Sequence, residues 1–227
     1  MVIVKKKDGK HRFCVDLREV NKASHKDAYP LPYINAILDK LRKAKYITTL
    51  DLKQGYWQVP LSQDSKPITA FTVPGRGLFQ FKVMPFGLHS APATFQRLLD
   101  SLIGPDMDPH AFAYLDDIIV LGETLEEHLE NLQEVFRRLR AANLRLNPEK
   151  CDFCKKSLKY LGHVVTDEGI RTDPDKIRAI QEIPAPTTIR ALRRFLGICS
   201  WYRRFIEGFS QMVKPLTDLL KKKQKWH

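Results

Sequence analysis

The sequence lacks the features that mark several protein classes. Only four cysteines occur among its 227 residues, too few to suggest the disulfide framework of a secreted domain. No apolar run is long enough to cross a bilayer, and the first residues lack the charged-then-apolar order of a signal peptide. These absences predict an intracellular protein without a membrane span.

Acidic side chains are scarce relative to basic ones. The formal net charge is +12, and it is unevenly distributed. From residue 171 to the end, 13 basic side chains stand against 5 acidic ones, so this segment carries +8 of the total. A strongly basic surface attracts polyanions, so the charge favours a nucleic-acid partner over a merely solubilising surface.

The hydrophobic residues, 43% of the chain, are sufficient for a buried core. Up to about residue 170, short β-branched or alternating runs are mixed with helical patterns. Helical spacing dominates after that point, with a linker marked by Pro184 and Pro186. The sequence therefore predicts an α+β domain over residues 1–170, followed by a small basic helical domain over residues 171–227.

Local patterns predict several elements of the first domain. Two apolar runs around an Asp-Gly pair indicate a hairpin over residues 2–15, with a cationic tip. The β-branched run Tyr46–Leu52 predicts a strand, and the alternation over Phe79–Met84 predicts another. Ser90 and Pro92 predict the N-cap and the first turn of a helix.

The segment Ala111–Leu121 has the most unusual local pattern in the chain. Two apolar runs flank Asp116 and Asp117 with no glycine between them. This pattern predicts a hairpin with two carboxylates at its bend. Thr124 and Glu127 then match the capping box of a following amphipathic helix that extends to about residue 143.

Asp51, Asp116 and Asp117 all lie in apolar surroundings that penalise a charge. Burying one carboxylate is costly, and neighbouring carboxylates repel each other. An Asp-Asp pair alone is more often a plain surface turn, but Asp51 lies within a second apolar strand pattern. Because strands far apart in sequence can be neighbours in a sheet, the three carboxylates can hold two metal ions roughly 3.5–4 Å apart, as in polymerases and nucleases.

At these residues the sequence resembles the reverse transcriptases, which are RNA-directed DNA polymerases. Six motifs in the family's order carry the resemblance over essentially the whole chain, whereas a lone Tyr-x-Asp-Asp box would be weak evidence. The motifs are Arg12–Asn21 in the fingers, Leu50–Gln58 as the first catalytic motif, Met84–Gln96 as the intervening motif, Tyr114–Asp117 as the Tyr-x-Asp-Asp box, Tyr160–His163 at the primer grip, and Leu192–Ile206 in the thumb. The thumb motif resembles that of gypsy-like long-terminal-repeat retrotransposons. The primer-grip motif lies within a predicted strand, Tyr160–Val165.

The resemblance implies a right-hand polymerase fold of the α+β class. Partial fingers and a palm, with an antiparallel sheet and helices on one face, would occupy residues 1–170, and a basic helical thumb would occupy residues 171–227. It also implies template-directed transfer of deoxynucleotides to a primer 3′-hydroxyl. The cofactors would be two Mg²⁺ ions, for which Mn²⁺ can substitute, because carboxylates and phosphates are the ligands that Mg²⁺ prefers.

The family's roles can be placed on individual residues of this sequence. Asp51, Asp116 and Asp117 would be the catalytic triad and the metal ligands, with the Leu52 carbonyl as an additional ligand. Tyr56 would be the steric gate, an aromatic ring under the sugar that excludes a 2′-hydroxyl, although a tyrosine in this context can also be ordinary core.

Other residues would bind the nucleotide and the nucleic acid. Lys7 and Arg12 would bind the incoming triphosphate, with nearby lysines as rivals of Lys7, and Gly87 would allow close backbone approach to the nucleotide. Phe86 departs from the retroviral enzymes, which have glutamine there, and matches gypsy-like elements. The residues that would contact primer or template are Leu161, Gly162, His163, Arg190, Arg193 and Arg194, of which His163 could equally be an ordinary strand histidine.

The resemblance also implies partners and leaves alternatives open. The partners would be an RNA or DNA template with its primer, deoxynucleoside triphosphates, and the RNase H and integrase domains of a parent polyprotein, in a cytoplasmic retroelement particle or in the nucleus. One alternative is a catalytically inactive retroelement remnant that binds nucleic acid, and another is a metal-dependent nuclease. Cys151 and Cys154 lack a second pair at a suitable spacing, so two packed thiols are favoured over a zinc site.

Overall fold

The computed structural model describes residues 2–5, 9, 11–221 and 224. The chain divides into two compact units, Met1–Lys156 and Ser157–His227. The functional boundary that the sequence suggests near residue 170 stays a prediction. Across the described part of the chain, none of the helices has the length and apolar character needed to span a bilayer.

The described strands of the first unit form three antiparallel sheets. β1 pairs with β2, β4 pairs with β5, and four strands form a central sheet in the order β6-β7-β3-β8. The strands are β1 (Val2–Lys5), β2 (His11–Cys14), β3 (Tyr46–Asp51), β4 (Phe71–Val73), β5 (Gly77–Phe79), β6 (Ala111–Tyr114), β7 (Asp117–Gly122) and β8 (Asp152–Lys155). The predicted hairpins over residues 2–15 and 111–121 and the predicted strand at 46–52 are therefore confirmed.

The helices of this unit are α1 (Arg18–Ala23), α2 (Ile34–Leu41), α3 (Ala91–Ile103) and α4 (Leu125–Ala141). α4 begins as predicted, because the Thr124 hydroxyl accepts a hydrogen bond from the Glu127 N–H at 3.2 Å. α3 also begins after Ser90 with Pro92 in its first turn. The predicted side-chain cap is wrong, however, because the Ser90 hydroxyl donates to the carbonyl of His25 at 3.2 Å.

The main core of the first unit joins α3 and α4 to the central sheet. Leu50 and Ile118 from the sheet, Phe95 and Leu99 from α3, and Val135 from α4 are all completely buried in one cluster. Burying a side chain of this size contributes about 1.5–3 kcal/mol. This packing fixes α3 beneath the strands that carry the three aspartates.

The strand predicted over Phe79–Met84 is wrong. β5 ends at Phe79, and Val83 makes only an isolated bridge with Pro60. The alternating pattern has a different cause, because the rings of Phe79 and Phe81 both pack on Phe71, with centroid distances of 6.1 and 5.5 Å. Aromatic packing therefore produces here the periodicity that is typical of a strand.

The second unit contains a three-stranded antiparallel sheet followed by helices. The elements are β9 (Ser157–Tyr160), β10 (His163–Thr166), β11 (Gly169–Thr172), α5 (Pro174–Gln181), α6 (Ile189–Trp201) and α7 (Phe209–Asp218). The single strand predicted over Tyr160–Val165 is wrong, because Leu161 and Gly162 turn the chain between β9 and β10 at φ +50° and +79°. The Pro184–Pro186 linker lies inside this unit, between α5 and α6.

Candidate active site

Two of the three aspartates are direct cross-strand partners. Asp51, the last residue of β3, pairs with Asp117, the first residue of β7. The neighbouring pair, Leu50 and Ile118, is completely buried, so the register is held by apolar packing next to the carboxylates. Like charges directly opposite each other in a sheet are destabilising, so a cation bound at this pair would stabilise it.

Asp116 lies in the two-residue turn that joins β6 to β7. Tyr114 pairs with Asp117 across this turn, which leaves Leu115 and Asp116 at its tip. Leu115 has a φ of +55°, in the left-handed region. That conformation costs about 1–2 kcal/mol for a residue with a side chain, so other contacts must hold it. The turn thus places Asp116 beside the Asp51–Asp117 pair at one end of the central sheet.

Burial and mutual repulsion both act on these carboxylates. Burial, and then the charges of Asp51 and Asp116, raise the pKa of Asp117 to about 6. The pKa of Asp116 is also raised, first by burial and then by the charge of Asp51. In addition, Oδ1 of Asp116 is buried without a hydrogen-bond partner in the described part of the chain. Such an oxygen is costly to bury unless a cation contacts it.

Lys150 supplies the nearest cation that the structure shows at this site. Its Nζ lies 3.4 Å from Oδ2 of Asp51. The Lys150 side chain is mostly exposed, so the pair is screened by water and its attraction is weak. Sequence reasoning missed this residue, because nothing in the pattern distinguishes it from the many other lysines of the chain.

The residue types at this site fit a divalent metal ion. Hard cations prefer carboxylate and carbonyl oxygens, and Asp51, Asp116 and Asp117 supply carboxylate oxygens. One of these, Oδ1 of Asp116, is buried without a partner among the described residues. The Leu52 carbonyl accepts one hydrogen bond, from the Gly55 N–H at 3.2 Å, and retains a second lone pair. As positioned, however, no group of three or more His, Cys, Asp or Glu side chains among the described residues forms a ready metal centre.

Tyr56 lies next to the carboxylates, in a short 3₁₀ helix, Gly55–Gln58. Its ring is fixed between Phe86 and Phe95, with centroid distances of 5.1 and 5.2 Å. Burial, and then the negative charge of Asp116, raise the pKa of Tyr56 to about 12. The phenol is therefore a rigid, neutral wall beside the aspartates.

Gly87 lies in the loop that precedes α3. Its φ of +103° is readily available only to glycine. The side-chain amide of Asn21, on α1, holds this loop: Nδ2 donates to the Gly87 carbonyl at 2.8 Å, and Oδ1 accepts from the His89 N–H at 2.9 Å. α1 thus fixes the backbone at Gly87.

The structure says little about the two residues that are predicted to bind the triphosphate. Lys7 lies outside the described residues, and only the backbone of Arg12 is described, in β2 opposite Val4. Their roles stay predictions.

The predicted primer and template residues lie in the second unit. Leu161 and Gly162 form the β9–β10 turn, whereas the His163 ring is buried against Tyr202 and Phe205, with centroid distances of 5.8 and 5.3 Å. α6 carries three exposed arginines at helical spacing, opposite the buried side chain of Leu192. These arginines are Arg190, Arg193 and Arg194.

Comparisons with known sequences point to one family. The family model described as reverse transcriptase (RNA-dependent DNA polymerase) matches residues 4–165. The Pol polyproteins of transposons 297 and gypsy from Drosophila melanogaster are 42% and 41% identical over 99% and 92% of this chain. The chain spans only 21% and 20% of their lengths.

A solved structure adds the architecture. The foamy viral protease-reverse transcriptase in complex with double-stranded DNA has a TM-score of 0.86 and 33% identity, covering 96% of this chain and 38% of that one. The right-hand polymerase fold is therefore confirmed, as is the expected likeness to gypsy-type elements. Family match, relatives and fold together establish that the chain belongs to the reverse transcriptase family.

Proposed function

We propose that this chain extends a primer 3′-hydroxyl with deoxynucleotides on an RNA or DNA template, as the polymerase segment of a retrotransposon Pol polyprotein. One observation carries the proposal: the pairing of β3 with β7 and the β6–β7 turn bring Asp51, Asp116 and Asp117 to one end of the central sheet. A buried group of carboxylates with an unpartnered oxygen is suited to metal-assisted phosphoryl transfer.

The three aspartates and the Leu52 carbonyl would hold two Mg²⁺ or Mn²⁺ ions. When bound, these cations supply the positive charge that activates the 3′-hydroxyl and stabilises the leaving pyrophosphate. The Tyr56 ring would lie under the sugar. Because Phe86 and Phe95 pack against it, the ring cannot easily move aside for a 2′-hydroxyl.

Other parts of the chain would bind the remaining substrate groups. Lys7 and Arg12 would bind the triphosphate, and the positive φ at Gly87 allows backbone to approach the nucleotide. The Leu161–His163 turn would contact the primer through its backbone, since the His163 ring is buried. The exposed α6 arginines would contact phosphates without reading sequence, as suits an enzyme that copies any template. The parent polyprotein would supply RNase H and integrase and act in cytoplasmic particles or in the nucleus.

Primer extension on an RNA template with Mg²⁺ and deoxynucleotides tests the proposal, comparing the chain with Asp116→Asn. We expect extension by the first and none by the second, with equal, salt-sensitive template–primer binding by both, because phosphate contacts release counterions. Binding without extension by the unaltered chain would contradict the proposal and favour an inactive remnant. Cleavage of the template in place of extension would favour a nuclease.

A further inference from the structure

Gln96 is a completely buried polar side chain on α3, below the β6–β7 turn. Its Oε1 accepts a hydrogen bond from the Leu115 N–H at 2.7 Å, and its Nε2 donates to the Ala113 carbonyl at 2.9 Å. The two bonds reach backbone on either side of Tyr114. One buried amide thus holds both the end of β6 and the first residue of the turn that carries the carboxylates.

The orientation of this amide is fixed by a second pair of contacts. Nε2 also donates to Oδ1 of Asp100, one helical turn further along α3, at 2.8 Å. The other oxygen of Asp100 accepts a hydrogen bond from the Tyr29 hydroxyl at 2.8 Å. Because Asp100 and the Ala113 carbonyl are both acceptors, only Nε2 can face them, and Oε1 must face the Leu115 N–H.

The contact to Leu115 falls where the hairpin is most strained. Leu115 adopts a φ of +55° without being glycine, and the next two residues are Asp116 and Asp117. Leu115 is half-buried, and an N–H that is partly shielded from water is stabilised by an acceptor within the protein. Gln96 supplies that acceptor, so it stabilises the strained backbone conformation that aims both carboxylates.

We propose that Gln96 is a positioning residue of the polymerase site. It acts through backbone and holds Leu115 in the left-handed conformation, so that Asp116 and Asp117 stay beside Asp51 at the end of the central sheet. The inference rests on the proposed function for its catalytic consequence. Its structural consequence, order at the Leu115 amide, can be measured without metal or substrate.

The test compares Gln96→Met with a matched control, Asn131→Leu. Asn131, on α4, donates from Nδ2 to the Leu121 carbonyl at 3.0 Å, near the opposite end of β7. Gln96→Met removes two side-chain hydrogen bonds to this hairpin and Asn131→Leu removes one, but only the first variant changes the carboxylate end. Because small misplacements of reacting groups are costly, we expect kcat to fall about 10-fold or more in Gln96→Met, with KM within about threefold, and to change less than about twofold in the control.

Amide hydrogen exchange provides the second readout. In Gln96→Met, exchange at Leu115 should accelerate about 10-fold or more while β3 keeps its protection, because only the local acceptor is lost. Tyr29→Phe, which keeps the aromatic ring and releases Asp100, should give a smaller change in the same direction. If Gln96→Met does not fold, exchange at Leu115 in Tyr29→Phe tests whether the Gln96 contacts order the turn.

Three results would overturn the inference. One is an equal loss of kcat in Gln96→Met and Asn131→Leu. Another is accelerated exchange throughout the central sheet, which would mean general destabilisation. The third is unchanged exchange at Leu115 in Gln96→Met. If the unaltered chain does not extend primers, the proposed function fails, but the exchange data still show whether Gln96 orders the turn.

Discussion

Two turns of this molecule share a backbone problem and solve it differently. The β6–β7 turn contains Leu115 and Asp116, and the β9–β10 turn contains Leu161 and Gly162; each leucine has a positive φ, of +55° and +50°. In the second turn glycine takes the next position, at φ +79°, as in the two-residue hairpin turns that need positive φ at both positions. In the first turn this position is Asp116, which is not among the residues with positive φ.

The difference shows how a site residue is accommodated. The Leu161–Gly162 turn has a glycine at its second position of positive φ and carries no ionisable side chain. The Leu115–Asp116 turn carries a carboxylate, and its backbone is held from outside by Gln96. The left-handed conformation of Leu115 is thus supported by a buried amide, next to the residues that carry the carboxylates.

The largest effect should come from making the first turn resemble the second. Asp116→Gly creates a Leu-Gly turn. The variant should still fold, because the loss of a buried charge offsets the backbone freedom that glycine adds at a position without positive φ. Primer extension should fall by about 10³-fold or more, since the proposed function makes Asp116 a metal ligand. Thermal unfolding measures the stability of the variant, and single-turnover extension with the same preparation measures its activity. Full extension activity in Asp116→Gly would show that Asp116 is not part of the catalytic site.

A smaller effect should follow from removing the glycine of the second turn. Gly162→Ala forces a side chain into φ +79°, where its Cβ would also approach Oη of Tyr202 at 3.3 Å. The free energy of unfolding should fall by about 1–2 kcal/mol.

Gly197→Ala is the matched control in the same unit. Gly197 is helical, and nothing lies within 4 Å of an added Cβ. This substitution should raise the free energy of unfolding by about 0.5–1 kcal/mol. Denaturant titration of both variants measures the difference. Equal effects at the two positions would show that the positive φ of Gly162 is not required by the turn.

The smallest expected effect is on the pH dependence of the free energy of unfolding, through His163, which follows the second turn. Burial, and then the charge of Arg204, lower the pKa of His163 in the folded chain. The unfolded chain therefore binds the proton first, and the free energy of unfolding should fall as pH drops below about 6.5. His163→Phe, which keeps a ring against Tyr202 and Phe205, should reduce this loss between pH 7.5 and 5.5.

The buried His128 of the first unit serves as an internal reference for that measurement. Its pKa is lowered in the same direction, chiefly by burial. Its share of the pH dependence should remain in His163→Phe. A variant with the full pH dependence of the unaltered chain would show that His163 does not titrate differently on folding.

The two turns also show what could be predicted from the sequence. The 111–121 hairpin was predictable because two apolar runs flank a charged pair, which is a local pattern. The Tyr160–Val165 segment was mistaken for one strand because a tight Leu-Gly turn interrupts the apolar pattern for only two residues. Turn chemistry, which is also local, could have corrected this.

Other features of the site depend on distant contacts. The three aspartates were identified from the resemblance and from their apolar surroundings, but the pairing of Asp51 with Asp117 depends on the register of the whole sheet. Gln96 gave one weak signal, a polar residue beside Phe95 on the apolar face of a predicted helix. Nothing in the sequence indicated that its amide reaches the Leu115 N–H, because that contact exists only after α3 packs on the sheet.

Metal binding by the unaltered chain and by Asp51→Asn and Asp117→Asn tests the central claim most directly. Mn²⁺ titration followed by electron paramagnetic resonance needs neither substrate nor turnover. If the cross-strand pair and the turn form one metal site, each substitution should weaken Mn²⁺ binding by about 10-fold or more, because each removes a charged ligand. Binding by Asp51→Asn as tight as that of the unaltered chain would contradict the claim that β3 and β7 build a shared site.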